Sequence, residues 1–318
     1  MANNIFLDAR QRSPARAALG ICAAVAASLT SSFGHAESSG IADRLQRGYP
    51  GIITAVSGNT VHFADGSTLP LDDGRGEKPF ADWLAIPDIE DMFKLPYPPG
   101  DAAAPPPPQF DPGRARNEAF FTKVYGDCRK GEVETSLVDV IWLPKKSGQR
   151  LKATRINGVA AALQAVSDQL DALPAAFDTD LFPAAGTYNC RAIAGTASLS
   201  AHGLGIAIDI ALKRAHYWRW EKKGIDGAIG YRNALPMEIV RIFERHGFIW
   251  GGKWSHFDTM HFEYRPELLT PFRTTAPAAT PPEAPAGPAT GAAPGTPKDA
   301  PAGGSTGEPS PPGPTATP

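Results

Sequence analysis

Two short segments carry most of the chemistry in this chain. In the first, Ser200-Ala201-His202-Gly203-Leu204-Gly205-Ile206-Ala207-Ile208-Asp209, a histidine and an aspartate bracket a glycine-rich approach to a strand. In the second, Phe257-Asp258-Thr259-Met260-His261-Phe262-Glu263-Tyr264, another histidine follows an acid by three residues. Imidazole nitrogens and carboxylate oxygens are the donors of hydrolytic zinc sites, which use three protein ligands and keep a fourth position open for water. Together the segments supply three such ligands and one acid to spare as a base.

Strand alternation sharpens the assignment. From Gly205 onward, Gly205, Ala207, Asp209 and Ala211 point one way, and Ile206, Ile208, Ile210 and Leu212 point the other. The bulky set makes a core face. The opposite face is lined by small residues and one carboxylate, which leaves room above the sheet for an ion and a substrate. An unpaired aspartate buried there would be costly, so a cation is its expected neighbour. His202 precedes the strand on a Gly203/Gly205 turn that lets its imidazole fold back towards Asp209. In the second segment Met260, Phe262 and Tyr264 share one face, while Thr259, His261 and Glu263 share the other. Glu263 is thus placed to orient the His261 imidazole, and a role as a second base stays open. Asp258 has the wrong parity, and it reaches the site only if it lies ahead of the strand, where alternation has not begun.

These residues resemble the zinc D-Ala-D-Ala carboxypeptidases and dipeptidases of the VanY/VanX type, together with phage L-alanyl-D-glutamate endolysins and the related hedgehog/DD-peptidase fold. The resemblance rests on Ser-x-His-x-x-Gly-x-Ala-x-Asp at Ser200 to Asp209, and on Trp250-Gly251-Gly252-Lys253-Trp254 leading to Asp258-x-x-His261-Phe262-Glu263. It spans Asn117 to Arg273. It implies Zn2+ held by His202, Asp209 and His261, with Asp258 as the base. It also implies an arginine upstream that steadies the substrate carbonyl, and Arg191 is the nearest match, separated from Ser200 by a short segment.

Other polar and aromatic residues near the motifs have plainer readings. Ser200, Glu263, Trp250 and Trp254 are candidates to orient ligands or touch substrate, although the two tryptophans could equally pack the core. His256 reads as solvent-facing or as a support to the site, and not as a ligand. His62 reads as a strand residue. His216, followed by Tyr217, Trp218, Arg219 and Trp220, lies in a segment that either faces substrate or packs.

The elements that must position this site are visible as patterns. Val138 to Leu143 is strand-like, and Ile156, Val159, Ala160, Leu163, Val166, Leu170 and Leu173 recur at three- and four-residue intervals, which predicts an amphipathic helix. A second helix is predicted from Pro236 in its first turn through Ile239, Val240, Ile242 and Phe243 to His246, stopped by Gly247. Strands interleaved with helices in this order imply an α+β domain over 117–273. The resemblance implies an antiparallel sheet flanked by helices. Ahead of it, residues 37–95 alternate around Ser57-Gly58-Asn59 and Asp65-Gly66, which predicts a small β-hairpin or meander followed by a short apolar cluster from Trp83 to Phe93. Residues 96–116, with Pro105 to Pro108, read as a stiff Pro-rich linker.

The two ends point to export. Arg10, Arg12 and Arg16 precede the apolar run Ala17 to Leu29 and then Gly34-His35-Ala36, which predicts a signal peptide over 1–36, with an uncleaved anchor as the alternative. The run is shorter than the roughly 20 residues a membrane-spanning helix needs, so no stable membrane span is expected after cleavage. Cys22 lies in the run, preceded by Ile21 and not by a small residue, which argues against lipid attachment. The mature chain keeps Cys128 and Cys190, and two cysteines in an exported protein favour a disulfide, with two buried free thiols as the alternative. Residues 274–318 are Pro, Ala, Gly, Thr and Ser with a few charges, a composition expected to stay disordered.

With 318 residues and a net charge of -2, the chain has no bulk positive charge for nucleic acid. The expectation is an exported zinc metallopeptidase, in the periplasm or cell envelope, that acts on peptidoglycan stem peptides. D-alanyl-D-alanine carboxypeptidase activity is the leading form. An L-alanyl-D-glutamate endopeptidase and a zinc-containing wall-binding module without hydrolysis are the alternatives.

Overall fold

A short helix, α1, over residues 40–48 begins the described structure, a computed structural model that covers residues 40–101, 105–224 and 229–269. The expected signal segment, Cys22 and the tail 274–318 lie outside the described residues. Ile41 and Leu45, four apart on α1, are buried on one face. Three antiparallel strands follow, β1 (Ile53–Ser57), β2 (Thr60–Phe63) and β3 (Thr68–Pro70). This is the expected meander: Ser57 pairs with Thr60 across the Gly58-Asn59 turn, and Val61 and Phe63 alternate inward. His62 is an ordinary residue of β2, bonded through Nε2 to Ser57 Oγ at 2.8 Å.

The next stretch turns back onto the rest of the chain. Helix α2 (Phe80–Ala85) buries Trp83, whose indole N–H donates to the Asp91 carbonyl. The Pro-rich stretch 96–116, read from sequence as a linker, carries residues embedded in the body. Tyr97 donates to Glu244 and accepts from the Trp250 amide, and Asp111 and Ala115 are fully buried. Side chains set between prolines find specific partners here, which composition alone does not reveal.

Asn117 caps helix α3 (Glu118–Tyr125) by accepting from the Phe120 amide at 2.8 Å. Phe120 packs edge-on against Tyr49 at 5.0 Å and near Phe63, so α1 and the meander share an apolar core with α3. Strands β4 (Leu137–Trp142) and β5 (Gln149–Thr154) form an antiparallel pair, covered by α4 (Val159–Asp171). The predicted three- and four-residue periodicity is the buried face of α4, with Val159, Leu163, Val166 and Leu170 at most 1% exposed. A short helix α5 (Asp178–Leu181) leads towards the site.

The site itself stands on a three-stranded antiparallel sheet in the order β6-β8-β7, built from β6 (Ala207–Asp209), β7 (Phe248–Trp250) and β8 (His261–Tyr264). Helix α6 (Met237–Arg245) packs behind it, with Pro236 at its N-cap position and Gly247 beyond its end. Phe243 of α6 stacks on Phe262 of β8 at 3.7 Å, which ties the helix to the strand that carries His261. A short helix α7 (Pro266–Leu269) follows β8. Helices and antiparallel sheets in this arrangement make the described residues a mixed α+β structure. The short β7 and the largely polar β5 were not legible as strands, because three residues or an edge pattern do not establish alternation.

Candidate metal centre

Local geometry brings the first two candidate ligands together. Ala201–Leu204 form a short 3-10 turn capped by Ser200, whose hydroxyl accepts from the His202 amide. Gly205 ends that turn at φ +69°, a left-handed conformation that side chains resist, and the chain then enters β6 with Asp209 as its last residue. The strand is therefore shorter than the alternation suggested, but Ala207 and Asp209 keep the expected common face. Across the sheet Asp209 pairs with His261 and Ala207 with Glu263. The third ligand thus arrives by strand pairing between the two motifs.

Three donor atoms converge. His202 Nε2 lies 3.2 Å from Asp209 Oδ1 and 3.2 Å from His261 Nδ1, and His261 Nδ1 lies 2.9 Å from Asp209 Oδ1. A tetrahedral zinc ion with ligand bonds of about 2.0–2.1 Å needs neighbouring donors about 3.3–3.4 Å apart. The donor set is thus nitrogen, nitrogen and oxygen at near-zinc spacing, and these residues group as a possible metal site.

The imidazoles are held from behind so that the nitrogens turned towards the cleft are the ones a metal would take. His202 Nδ1–H donates to the Thr187 carbonyl at 2.5 Å, which leaves Nε2 free to ligate. His261 Nε2–H donates to Glu263 Oε2 at 3.3 Å, which leaves Nδ1. Glu263 is fully buried. Burial alone would raise its carboxyl, but Arg116, the His261 hydrogen bond and Arg265 outweigh that and hold it well below the usual carboxylate range. Burial would lower His261, yet its hydrogen bonds to Asp209 and Glu263 raise it to about 10. Asp209, opposed by burial, is held low by the same two histidines.

Asp258 lies ahead of β8, which starts only at His261, in an isolated antiparallel bridge with Tyr217, so the parity of β8 does not constrain it. It lines the same cleft, and its Oδ1 is a buried acceptor with no hydrogen-bond partner. Burial pushes the carboxyl up to about 6, while His261 pulls it down and Asp209 pushes it up. The cleft encloses about 100 Å³ over the donor atoms. Arg191 stands exposed at its rim. Cys190, its neighbour, is bridged to Cys128, and the bridge packs beneath the His202 turn: a Cβ on Gly203 would meet Cys128 Sγ at 3.2 Å.

The remaining candidates divide. Trp250 is a core residue, fully buried with its N–H on the Thr259 carbonyl, whereas Trp254 lines the cleft with its N–H on the Pro112 carbonyl. His256 lies outside the donor triangle; it pairs with buried Asp111 at 2.7 Å and meets Trp218 edge-on. His216 bonds Glu221, while Tyr217 and Trp218 reach the cleft. Two cleft residues went unrecognised in the sequence, Arg114 and Arg116. Their spacing of two, with buried Ala115 between, was the available signal, but the surrounding prolines masked it.

Residues 194–264 match the family model described as D-alanyl-D-alanine carboxypeptidase. The matched segment contains both motifs, and it supports a D-Ala-D-Ala carboxypeptidase-like peptidase, a hydrolase of a generally metal-dependent family. No curated protein and no solved structure matches the chain.

Proposed function

We propose that this protein is an exported zinc peptidase of the hedgehog/DD-peptidase type that removes the terminal D-alanine from peptidoglycan stem peptides. The observation that carries the metal reading is the convergence of His202 Nε2, Asp209 Oδ1 and His261 Nδ1, with both imidazoles oriented by hydrogen bonds at their other nitrogens. The family match supports the peptide substrate. The signal-like N-terminal sequence and the Cys128–Cys190 bridge support export to the periplasm or cell envelope.

His202, Asp209 and His261 would hold a zinc ion, which would supply Lewis acidity to the scissile carbonyl and lower the pKa of a water to about 7. Asp258 takes the proton of the attacking water and passes it to the leaving amine. Its unpartnered Oδ1 is free to accept, and a carboxyl near 6 is mostly ionised at neutral pH while still able to hold a proton in passing. Arg191 at the rim offers a permanent positive charge to the developing oxyanion. Trp254 and Trp218 wall the cleft and limit water around the reacting bond.

Mass spectrometry of purified muropeptides incubated with the protein tests this reading. Loss of one alanine from pentapeptide stems is expected. Cleavage between the first and second stem residues would instead establish an endopeptidase, and unchanged muropeptides would overturn hydrolysis.

A further inference from the structure

Glu263 has two oxygens and three partners. Oε1 accepts from Arg265 Nη1 at 3.0 Å, while Oε2 accepts from both Arg116 Nη1 at 2.8 Å and His261 Nε2 at 3.3 Å. Arg116 therefore grips the very oxygen that orients the metal ligand. Arg265 is itself immobilised: its Nε donates to Glu267, which accepts from Tyr49, while Arg44 of α1 donates to the Glu267 and Leu268 carbonyls. This chain of buried charges runs from the N-terminal helix to the donor atoms, and all of Arg44, Tyr49 and Arg116 lie outside the segment that matches the peptidase family.

Arg116 is the member of this chain that reaches the cleft. Its side chain is 12% exposed, against none for Glu263 and Arg265, and its Nε is buried without a hydrogen-bond partner. A single oxygen shared by a cation and an imidazole N–H is fixed in place by the cation. Without Arg116, Oε2 could swing towards Arg265, and the His261 ring would lose the acceptor that keeps Nδ1 turned towards Asp209 and His202.

We propose that Arg116 is a positioning residue of the metal centre, acting through Glu263 on His261. The segment just ahead of α3 is on this view part of the support of the centre and not a spacer between two modules. The proposal rests on the metal reading given above, but it does not depend on which peptide bond is cut.

The test is zinc affinity in the full mature chain, stripped of metal and titrated with Zn2+ against a chromophoric chelator. Arg116→Met should weaken zinc binding by up to about 10-fold, the low end of what losing a hydrogen-bond partner of a ligand costs, because Arg116 acts one residue further out. In a Glu263→Gln background the same change should add nothing, because the route through Glu263 is already cut. The visible spectrum of the Co2+-substituted protein should shift in Arg116→Met, and Arg116→Lys should restore part of the affinity. Arg116→Met with a lowered melting temperature but parental zinc affinity overturns the proposal, as does an undiminished effect in the Glu263→Gln background. Should Arg116→Met not fold, Arg116→Lys carries the test. It loses the planar fork and should bind zinc several-fold more weakly, and parental affinity there overturns the proposal. A parent protein that binds no zinc overturns the metal reading itself.

Discussion

His261 and Glu263 stand on the same face of β8, and the imidazole Nε2–H donates to the carboxylate at 3.3 Å, so that the other ring nitrogen faces Asp209 at 2.9 Å. One strand thus supplies both a ligand and the group that orients it. The period-two geometry of a strand makes this arrangement cheap, since residues two apart point the same way.

Metal content follows from the three converging donors. The mature protein should bind about one zinc per chain with an exchangeable fourth position. His202→Ala and His261→Ala should each lose both metal and hydrolysis. Elemental analysis of protein purified without chelators provides the check, and a parent protein free of zinc removes the basis for the site.

Asp258 should separate binding from turnover. It lines the cleft without belonging to the donor triangle, so Asp258→Ala should keep its zinc and lose about 10² to 10⁴-fold in rate, the usual contribution of a general base. Parallel measurement of zinc content and muropeptide hydrolysis decides. If the variant is as fast as the parent, Asp258 is not the base, and Glu263, already committed to two arginines, is the next to test.

Zinc uptake should release a proton. His261 is raised from the ordinary 6.5 to about 10 in the metal-free site, with burial opposing and Asp209 and Glu263 prevailing. Its contribution to the stability of the metal-free protein is therefore complete below about 6.5 and is lost as pH rises towards 10. Because a ligating histidine must give up that proton, zinc affinity runs the other way, rising about tenfold per pH unit across the same window. Calorimetric titrations at pH 7 in buffers of different ionisation enthalpy should differ by close to one proton. Identical heats in all buffers would count against His261 as a ligand.

The Cys128–Cys190 bridge closes a separation of 62 residues and underlies the His202 turn. On the chain-entropy estimate it stabilises the fold by about 4 kcal/mol. The Cys128→Ser/Cys190→Ser variant should unfold at correspondingly lower denaturant and should also lose activity, because Arg191 adjoins the released Cys190. Two titratable thiols in the denatured, unreduced protein would refute the pairing in solution.

How much of this was legible in the residues alone depended on range. The donor triad could be read because each half is local: a glycine turn folds His202 towards Asp209 within one motif, and strand parity sets His261 beside Glu263. The amphipathic face of α4 was legible for the same reason, since periodicity acts over a few residues, whereas α3 and its cap at Asn117 were not read from the sequence. Tertiary structure decided the rest. Asp258 reaches the cleft because β8 begins at His261, a boundary set by pairing with β6. Trp250 went to the core and Trp254 to the cleft, although they lie four residues apart, because their hydrogen-bond partners are Thr259 and the distant Pro112. Arg116 meets Glu263 across 147 residues, and Arg44 meets Glu267 across 223. No spacing rule encodes such pairs: a buried charge takes whatever counter-charge or carbonyl the folded chain brings to it, and that partner exists only once the distant segments have packed.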